Sequence, residues 1–429
     1  MDERQVGSQH SGGQIPRPAY LSKLISKMGS DQAKVVTGVR RCGKSYLVFV
    51  LFKEYLLSQG VSPDHIIEMA FDTYESKPYR DPAVFYPYLK ERLQSDGTYY
   101  VLLDEVQLLD DFVDILNSLL RMGNVDVYVT GSNAHLLSRD VVTEFRGRGD
   151  EVQLFPLSFS EFMEVYEGDI RDGYTEYSTY GGLPAVLSRS TGEDKADYLQ
   201  NLFREIYLSD IVERNGIRDD ANLGEVVDVL ASSIGSLTNP LKISNTFKTE
   251  KHLQMSPQTV ERYIAYLEDS FLVERAQRYD VKGRRYIGTP SKYYFSDLGL
   301  RNARLSFRQS EETHLMENVM YNELRSRGFS VDVGVVPASV KGADGRYHRT
   351  QLEVDFVCNK GSRRYYIQSA YALPTDEKAE QEQASLMSID DSFRKIIVTK
   401  EGTEPRYNER GVLMLNLYDF LLDPESMNY

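Results

Sequence analysis

Lys34-Val35-Val36-Thr37-Gly38-Val39-Arg40-Arg41-Cys42-Gly43-Lys44-Ser45 decides how the rest of the chain is read. An apolar β-type run, Val35 and Val36, meets Gly38, and Gly43-Lys44-Ser45 completes the spacing G-x-x-x-x-G-K-S. That is the P-loop pattern. Glycines let the backbone curl until successive N–H groups face a phosphate, and the helix expected from Lys44 adds its positive N-terminal end. Gly38, Val39, Arg40, Arg41, Cys42, Gly43, Lys44, Ser45 and Tyr46 are therefore the candidate nucleotide-binding residues. Within them, Lys44 is placed to neutralise the β- and γ-phosphates and Ser45 to ligate Mg²⁺.

A second motif follows at Tyr99-Tyr100-Val101-Leu102-Leu103-Asp104-Glu105, an apolar buried-strand run ending in two carboxylates. Asp104 is the candidate magnesium-holding acid, and Glu105 the catalytic carboxylate that orients or deprotonates the attacking water. Strand-like and helix-like segments alternate around both motifs. Strands are expected at 66–71, 99–103 and 125–130, helices after Ser45, at 84–93 and at 112–122. Pro87 fits the 84–93 helix only in its first turn. The alternation predicts a parallel α/β sheet with ligands at the strand C-termini, which brings the two motifs together.

The strand ending at Thr130 delivers Gly131-Ser132-Asn133 to the same edge. Ser132 or Asn133 could contact the γ-phosphate as a sensor; an ordinary turn with Asn133 as a helix cap satisfies the same residues. Arg146 and Arg148 precede another strand, 151–155, and an arginine there could reach a γ-phosphate in cis or across a subunit interface, which leaves oligomerisation open.

The bulk numbers set limits. With 429 residues, two or three domains are expected, and a formal net charge of −14 excludes a surface that is basic throughout. The two cysteines, Cys42 and Cys358, give no disulfide framework and suit a reducing compartment. Cys42 is either an oxidisable thiol in the loop or simply a small tolerated residue. No apolar run approaches a membrane span, and residues 1–15 have the composition of a loose tail rather than a signal peptide. A cytoplasmic protein with no membrane partner is expected.

The chain resembles the AAA-related prokaryotic P-loop ATPases that carry G-x-R-R-x-G-K-[ST] and end in an uncharacterised C-terminal domain. The residues that carry the resemblance are Arg40-Arg41, Leu103-Asp104-Glu105-Val106-Gln107, Thr130-Gly131-Ser132-Asn133, Arg146-Gly147-Arg148, Pro156-Leu157-Ser158-Phe159-Ser160-Glu161-Phe162 and Tyr180-Gly181-Gly182-Leu183-Pro184. The resemblance runs from about residue 17 to the late 390s. It implies binding of ATP rather than GTP, with Mg²⁺ and slow hydrolysis.

Beyond residue 216 the signals change. Ser256 and Pro257 begin a helix with Val260, Tyr263, Ile264 and Leu267 on one side, and two strand-like runs flank the basic tip Lys282-Gly283-Arg284-Arg285. Helices and a hairpin give a winged-helix outline. Gln258 or Arg262 would then face a DNA groove and the tip would touch phosphates; the alternative is a unit that only packs domains together, with solvated tip charges. The last third resembles a restriction-endonuclease-like core, in which a helical Glu, a strand Asp and a [DE]-x-K hold Mg²⁺. Glu317 and Asp355 match, but Gln368 and Ala370 replace the acid and lysine, so the nuclease site reads as degenerate.

The expected fold class is α/β: a P-loop NTPase parallel sheet, a helical and winged-helix region, and a small restriction-endonuclease-like α/β domain. The expected bounds are a tail at 1–15, the ATPase with its lid at 16–215, the winged-helix-like unit at 216–300 and the last domain at 301–429. The expected activity is an Mg²⁺-dependent ATPase switch whose C-terminal half meets DNA or a protein partner. An ATP-gated nuclease and a non-hydrolysing ATP-bound regulator are the alternatives.

Overall fold

The computed structural model describes residues 15–94, 97–132, 149–218, 220–309, 311–341, 347–402 and 404–429. The expected tail thus falls almost wholly outside the described residues, as do Asn133, Arg146 and Arg148.

A five-stranded sheet forms the first layer: β1 (Ala33–Thr37), β2 (Ile66–Ala70), β3 (Tyr99–Asp104), β4 (Val125–Thr130) and β5 (Gly149–Gln153), in the order β2-β3-β4-β1-β5. Every neighbouring pair is parallel, so all five C-terminal ends share one edge. This is the α/β sheet of a P-loop NTPase. β1 and β3 are buried almost throughout, which explains their unbroken apolar runs. One charge breaks that run. Lys34 is fully buried on β1 and pairs with Asp126 of β4, which also accepts from the Tyr128 hydroxyl at 3.0 Å and the Gly29 N–H at 2.9 Å. The pair is tolerated because its remaining valences are filled.

The helix Pro82–Arg92 begins on Asp81, whose carboxylate accepts from the Ala83 N–H at 2.8 Å. Pro87 lies inside this helix rather than in its first turn, contrary to the sequence expectation. An interior proline costs about 3 kcal/mol or more. Phe85 and Leu89 offset it: both are fully buried against Ile67, Phe71 and Val101, at about 1.5–3 kcal/mol each.

Three helices, Asp220–Ser232, Pro240–Glu250 and Pro257–Asp269, precede the hairpin of β6 (Val273–Asp280) and β7 (Arg285–Phe295). Asn239 and Ser256 cap the second and third helices by accepting from Lys242 and Thr259 N–H groups. The hairpin is not a separate sheet. It joins β8 (Ser330–Lys341), β9 (Tyr347–Lys360), β10 (Arg363–Ala370), β11 (Arg394–Thr399), β12 (Arg406–Tyr407) and β13 (Leu413–Asn416) in the order β12-β13-β11-β10-β9-β8-β6-β7. β6 runs parallel to β8. Residues expected on either side of a boundary at 300 therefore share one mixed sheet.

One apolar core links the two layers, running from Tyr20 and Leu47 through Phe159, Phe203 and Val260 to Tyr294 and Phe420. Among the described residues, no helix is long and apolar enough to cross a membrane.

Candidate nucleotide-binding site

The loop between β1 and the helical run from Lys44 is held in its curl by geometry that only certain residues allow. Gly38 has φ 141°, and a Cβ there would stand 2.1 Å from the Leu154 carbonyl oxygen. That position admits no side chain. Arg41 and Gly43 also lie at positive φ, 66° and 102°, and the Leu47 N–H returns to the Gly43 carbonyl at 2.9 Å to open the helix. Lys44 is buried, and its ammonium donates to the carbonyls of Gly38 and Val39 at 3.1 Å each. It is thus folded over the mouth of the loop, where a phosphate would exchange for those carbonyls. Cys42 is fully buried, and burial pushes its thiol up. This favours the small tolerated residue over the reactive thiol.

Parallel strands bring the second motif alongside. Asp104 is 6% exposed; its carboxylate accepts from the Thr130 hydroxyl, and the Ser45 hydroxyl is near enough to act on it. Burial pushes the Asp104 pKa up, while those two hydroxyls pull it back. A hydroxyl and a carboxylate side by side are oxygen donors of the type Mg²⁺ takes. Glu105 follows in a left-handed conformation, φ 49° and ψ 49°, with its N–H on Thr130 Oγ1 at 3.2 Å. Its Oε2 accepts from Ser132 Oγ at 3.2 Å and from Gln107 Nε2. Ser132 is therefore in contact with Glu105.

Four residues with no role assigned from sequence join the site. Thr130 fixes both acids. Gln107 belongs to the L-D-E-V-Q run, and its spacing of two from Glu105 was a usable signal. Arg17 is buried at the start of the first helix, and its guanidinium donates to the Cys42 carbonyl at 3.4 Å and the Phe155 carbonyl at 2.8 Å, with Glu161 at 2.9 Å. It ties the loop to the P-L-S-F-S-E-F segment. Asp210, on the helix Ser209–Asn215, pairs with Arg40 at 3.1 Å. The charge of Arg41 draws the Tyr198 pKa back against burial, so both loop arginines act on helices that follow the sheet. Tyr46, half-buried, lies in the first turn.

The C-terminal trio lies on the other sheet and a helix packed against it. Glu317 on the helix Glu312–Ser326 and Asp355 on β9 both contact the Lys292 ammonium, at 2.8 and 3.4 Å. Gln368 turns its amide oxygen to the Asp355 N–H at 3.4 Å and its amide nitrogen to Glu382 at 3.2 Å. The third residue is thus beside the other two but occupied elsewhere.

A family model described as an AAA domain matches residues 30–163, and a domain of unknown function (DUF8612) matches residues 171–311. An uncharacterized Haemophilus influenzae protein is 34% identical over 418 residues, spanning 96% of this chain and 100% of its own length. An uncharacterized Methanocaldococcus jannaschii protein is 26% identical over 409 residues, spanning 92% and 86%. Among solved structures, a Walker-type ATPase of Pyrococcus abyssi aligns with 13% identity and a TM-score of 0.49, over 68% of this chain and 96% of its own. With its P-loop sheet and its AAA domain at residues 30–163, the chain belongs to the same family as the Haemophilus influenzae protein, an AAA-related family of P-loop ATPases.

Proposed function

We propose that this protein is a cytoplasmic, Mg²⁺-dependent ATPase working as a nucleotide-driven switch, with the C-terminal half as its interaction platform. One observation carries the reading: Lys44, Ser45, Asp104 and Glu105 converge at a single edge, with Asp104 held by the Thr130 hydroxyl, the Ser45 hydroxyl near enough to lower its pKa, and Glu105 gripped by Ser132. Lys44 and the loop N–H groups hold the phosphates. Ser45 and Asp104 hold the Mg²⁺, which supplies charge neutralisation on the phosphate oxygens. Glu105 orients water and takes its proton. Ser132 reports the state of Glu105, and Arg40 passes loop movement to the helix of Asp210.

The platform reading draws on exposure. Gln258, Arg262, Lys282, Arg284 and Arg285 are all exposed, and Arg285, 79% of whose side chain is exposed, meets Asp280 across a loose 3.6 Å contact. These charges suit nucleic-acid phosphates on an otherwise acidic protein.

The test is ATP affinity and phosphate release with Mg²⁺, with and without duplex DNA, for the wild type and Lys44→Ala. Losing a charged hydrogen-bonding partner of the phosphates is expected to weaken ATP binding about ten- to hundredfold. Wild-type binding without turnover would replace the switch by a static ATP-bound regulator. Stimulation by DNA would identify the partner class, and unchanged affinity in Lys44→Ala would sink the site.

A further inference from the structure

Lys292 enters the core from β7, the edge strand of the mixed sheet, and its side chain is 4% exposed. It meets Glu317 Oε1 at 2.8 Å, Glu353 Oε1 at 2.8 Å and Asp355 Oδ1 at 3.4 Å. Three N–H donors thus face three carboxylates. Neighbouring groups complete the shell. The Tyr294 hydroxyl donates to Glu317 Oε1 at 2.6 Å, and the Ser369 N–H to Asp355 Oδ2 at 2.9 Å. Gly235, at φ 68°, brings backbone against the far side, where a Cβ would lie 3.1 Å from Glu317 Oε2. Burial alone would lower the lysine pKa, but Glu317, Asp355 and Glu353 outweigh it and hold it well above the ordinary value.

We propose that the Lys292 ammonium is a built-in replacement for a divalent cation: Glu317, Glu353 and Asp355 form a cage filled from within, and a metal ion enters only when Lys292 is removed. The Glu317 and Glu353 contacts, at 2.8 Å each, have the length of a charge-assisted N–H···O pair, and Asp355 stands farther off at 3.4 Å. With Lys292 in place, Glu317, Glu353 and Asp355 are not arranged to hold a metal, and among the described residues no other group of three acidic, histidine or cysteine side chains is. Gln368 offers the cage no ligand, its oxygen being turned to a backbone N–H. The filled centre lacks the open position that metal-assisted hydrolysis requires. Removing the lysine leaves three carboxylates with no counter-charge in a largely buried pocket, a strong demand for a cation of charge two.

The experiment is Mn²⁺ titration by electron paramagnetic resonance on the nucleotide-free full chain, comparing wild type, Asp355→Asn, Lys292→Met and Lys292→Met/Asp355→Asn. Wild type and Asp355→Asn should bind Mn²⁺ alike, whereas Lys292→Met should gain one site that the double variant loses. If Lys292→Met unfolds without metal, Mn²⁺ should restore a cooperative thermal transition. A folded Lys292→Met that gains no site, or an unfolded one that Mn²⁺ does not rescue, overturns the proposal. So does a wild-type site lost in Asp355→Asn, which would mean that lysine and metal share the cage. The cage lies in the second sheet, so each result is independent of ATP turnover.

Discussion

Glu105→Gln is expected to bind Mg·ATP within a few-fold of the wild type while releasing phosphate about 10²–10⁴-fold more slowly. The substitution isolates the proton-accepting step because everything that places the side chain survives it. Backbone position is fixed by the left-handed turn and by the Glu105 N–H on Thr130 Oγ1, neither of which depends on the carboxylate. The amide oxygen of glutamine can still accept from Ser132 or Gln107, as the carboxylate does. What disappears is an oxygen able to take a proton from water at neutral pH. Asp104 and Ser45 are untouched, so the metal and phosphate contacts remain. Single-turnover phosphate release beside an equilibrium ATP titration separates the outcomes. Unchanged release would mean that Glu105 is not the proton acceptor. Equal loss of binding and release would mean that it is structural.

The legible part of this protein is the part whose contacts are close in sequence. Gly38, Gly43, Lys44 and Ser45 lie within one turn of chain, and Asp104-Glu105 terminate one apolar strand, so spacing alone placed them. Parallel topology then did the long-range work, since β3 and β1 flank β4 and end at one edge. Arg17 and Lys292 were out of reach for the opposite reason. Arg17 meets a carbonyl 138 residues away, and Lys292 meets acids 25 and 63 residues away. No local pattern distinguishes either from a solvated charge. Pro87 failed differently: its local rule was sound, but burial of Phe85 and Leu89 overrode it. The hairpin was legible as a hairpin, whereas its parallel pairing with β8 depended on strands fifty residues downstream.

Asp297→Asn is expected to destabilise the fold by about 2–5 kcal/mol, the cost of one unpaired backbone N–H and one amide donor facing others. Asp297 caps the helix Leu298–Arg304 and at the same time clamps the Y-G-G-L-P turn. Its Oδ1 accepts from the Leu300 N–H at 3.0 Å and its Oδ2 from the Gly182 N–H at 2.7 Å. The approach is so close that a Cβ on Gly181, at φ 78°, would fall 2.2 Å from Oδ1. An asparagine must aim its NH₂ at one of those N–H groups. Burial pushes the carboxyl up from 3.8 to about 6, against the N–H groups of Gly182, Leu300, Gly299 and Leu183 that pull it down. A raised acid favours the fold while protonated, so its contribution is complete below about pH 4 and lost as pH rises through about 6. The stability advantage of wild type over Asp297→Asn should therefore shrink between about pH 4 and pH 7, by up to about 3 kcal/mol. Paired chemical denaturation across that range checks it, and a flat or growing difference would sink the argument. The N–H groups that Asp297 holds, those of Gly182 and Leu300, lie outside the P-loop, so the folded variant should bind ATP like the wild type. Weakened binding by a variant that is still folded would instead mean that the seam between the two sheets sets the geometry of the nucleotide site.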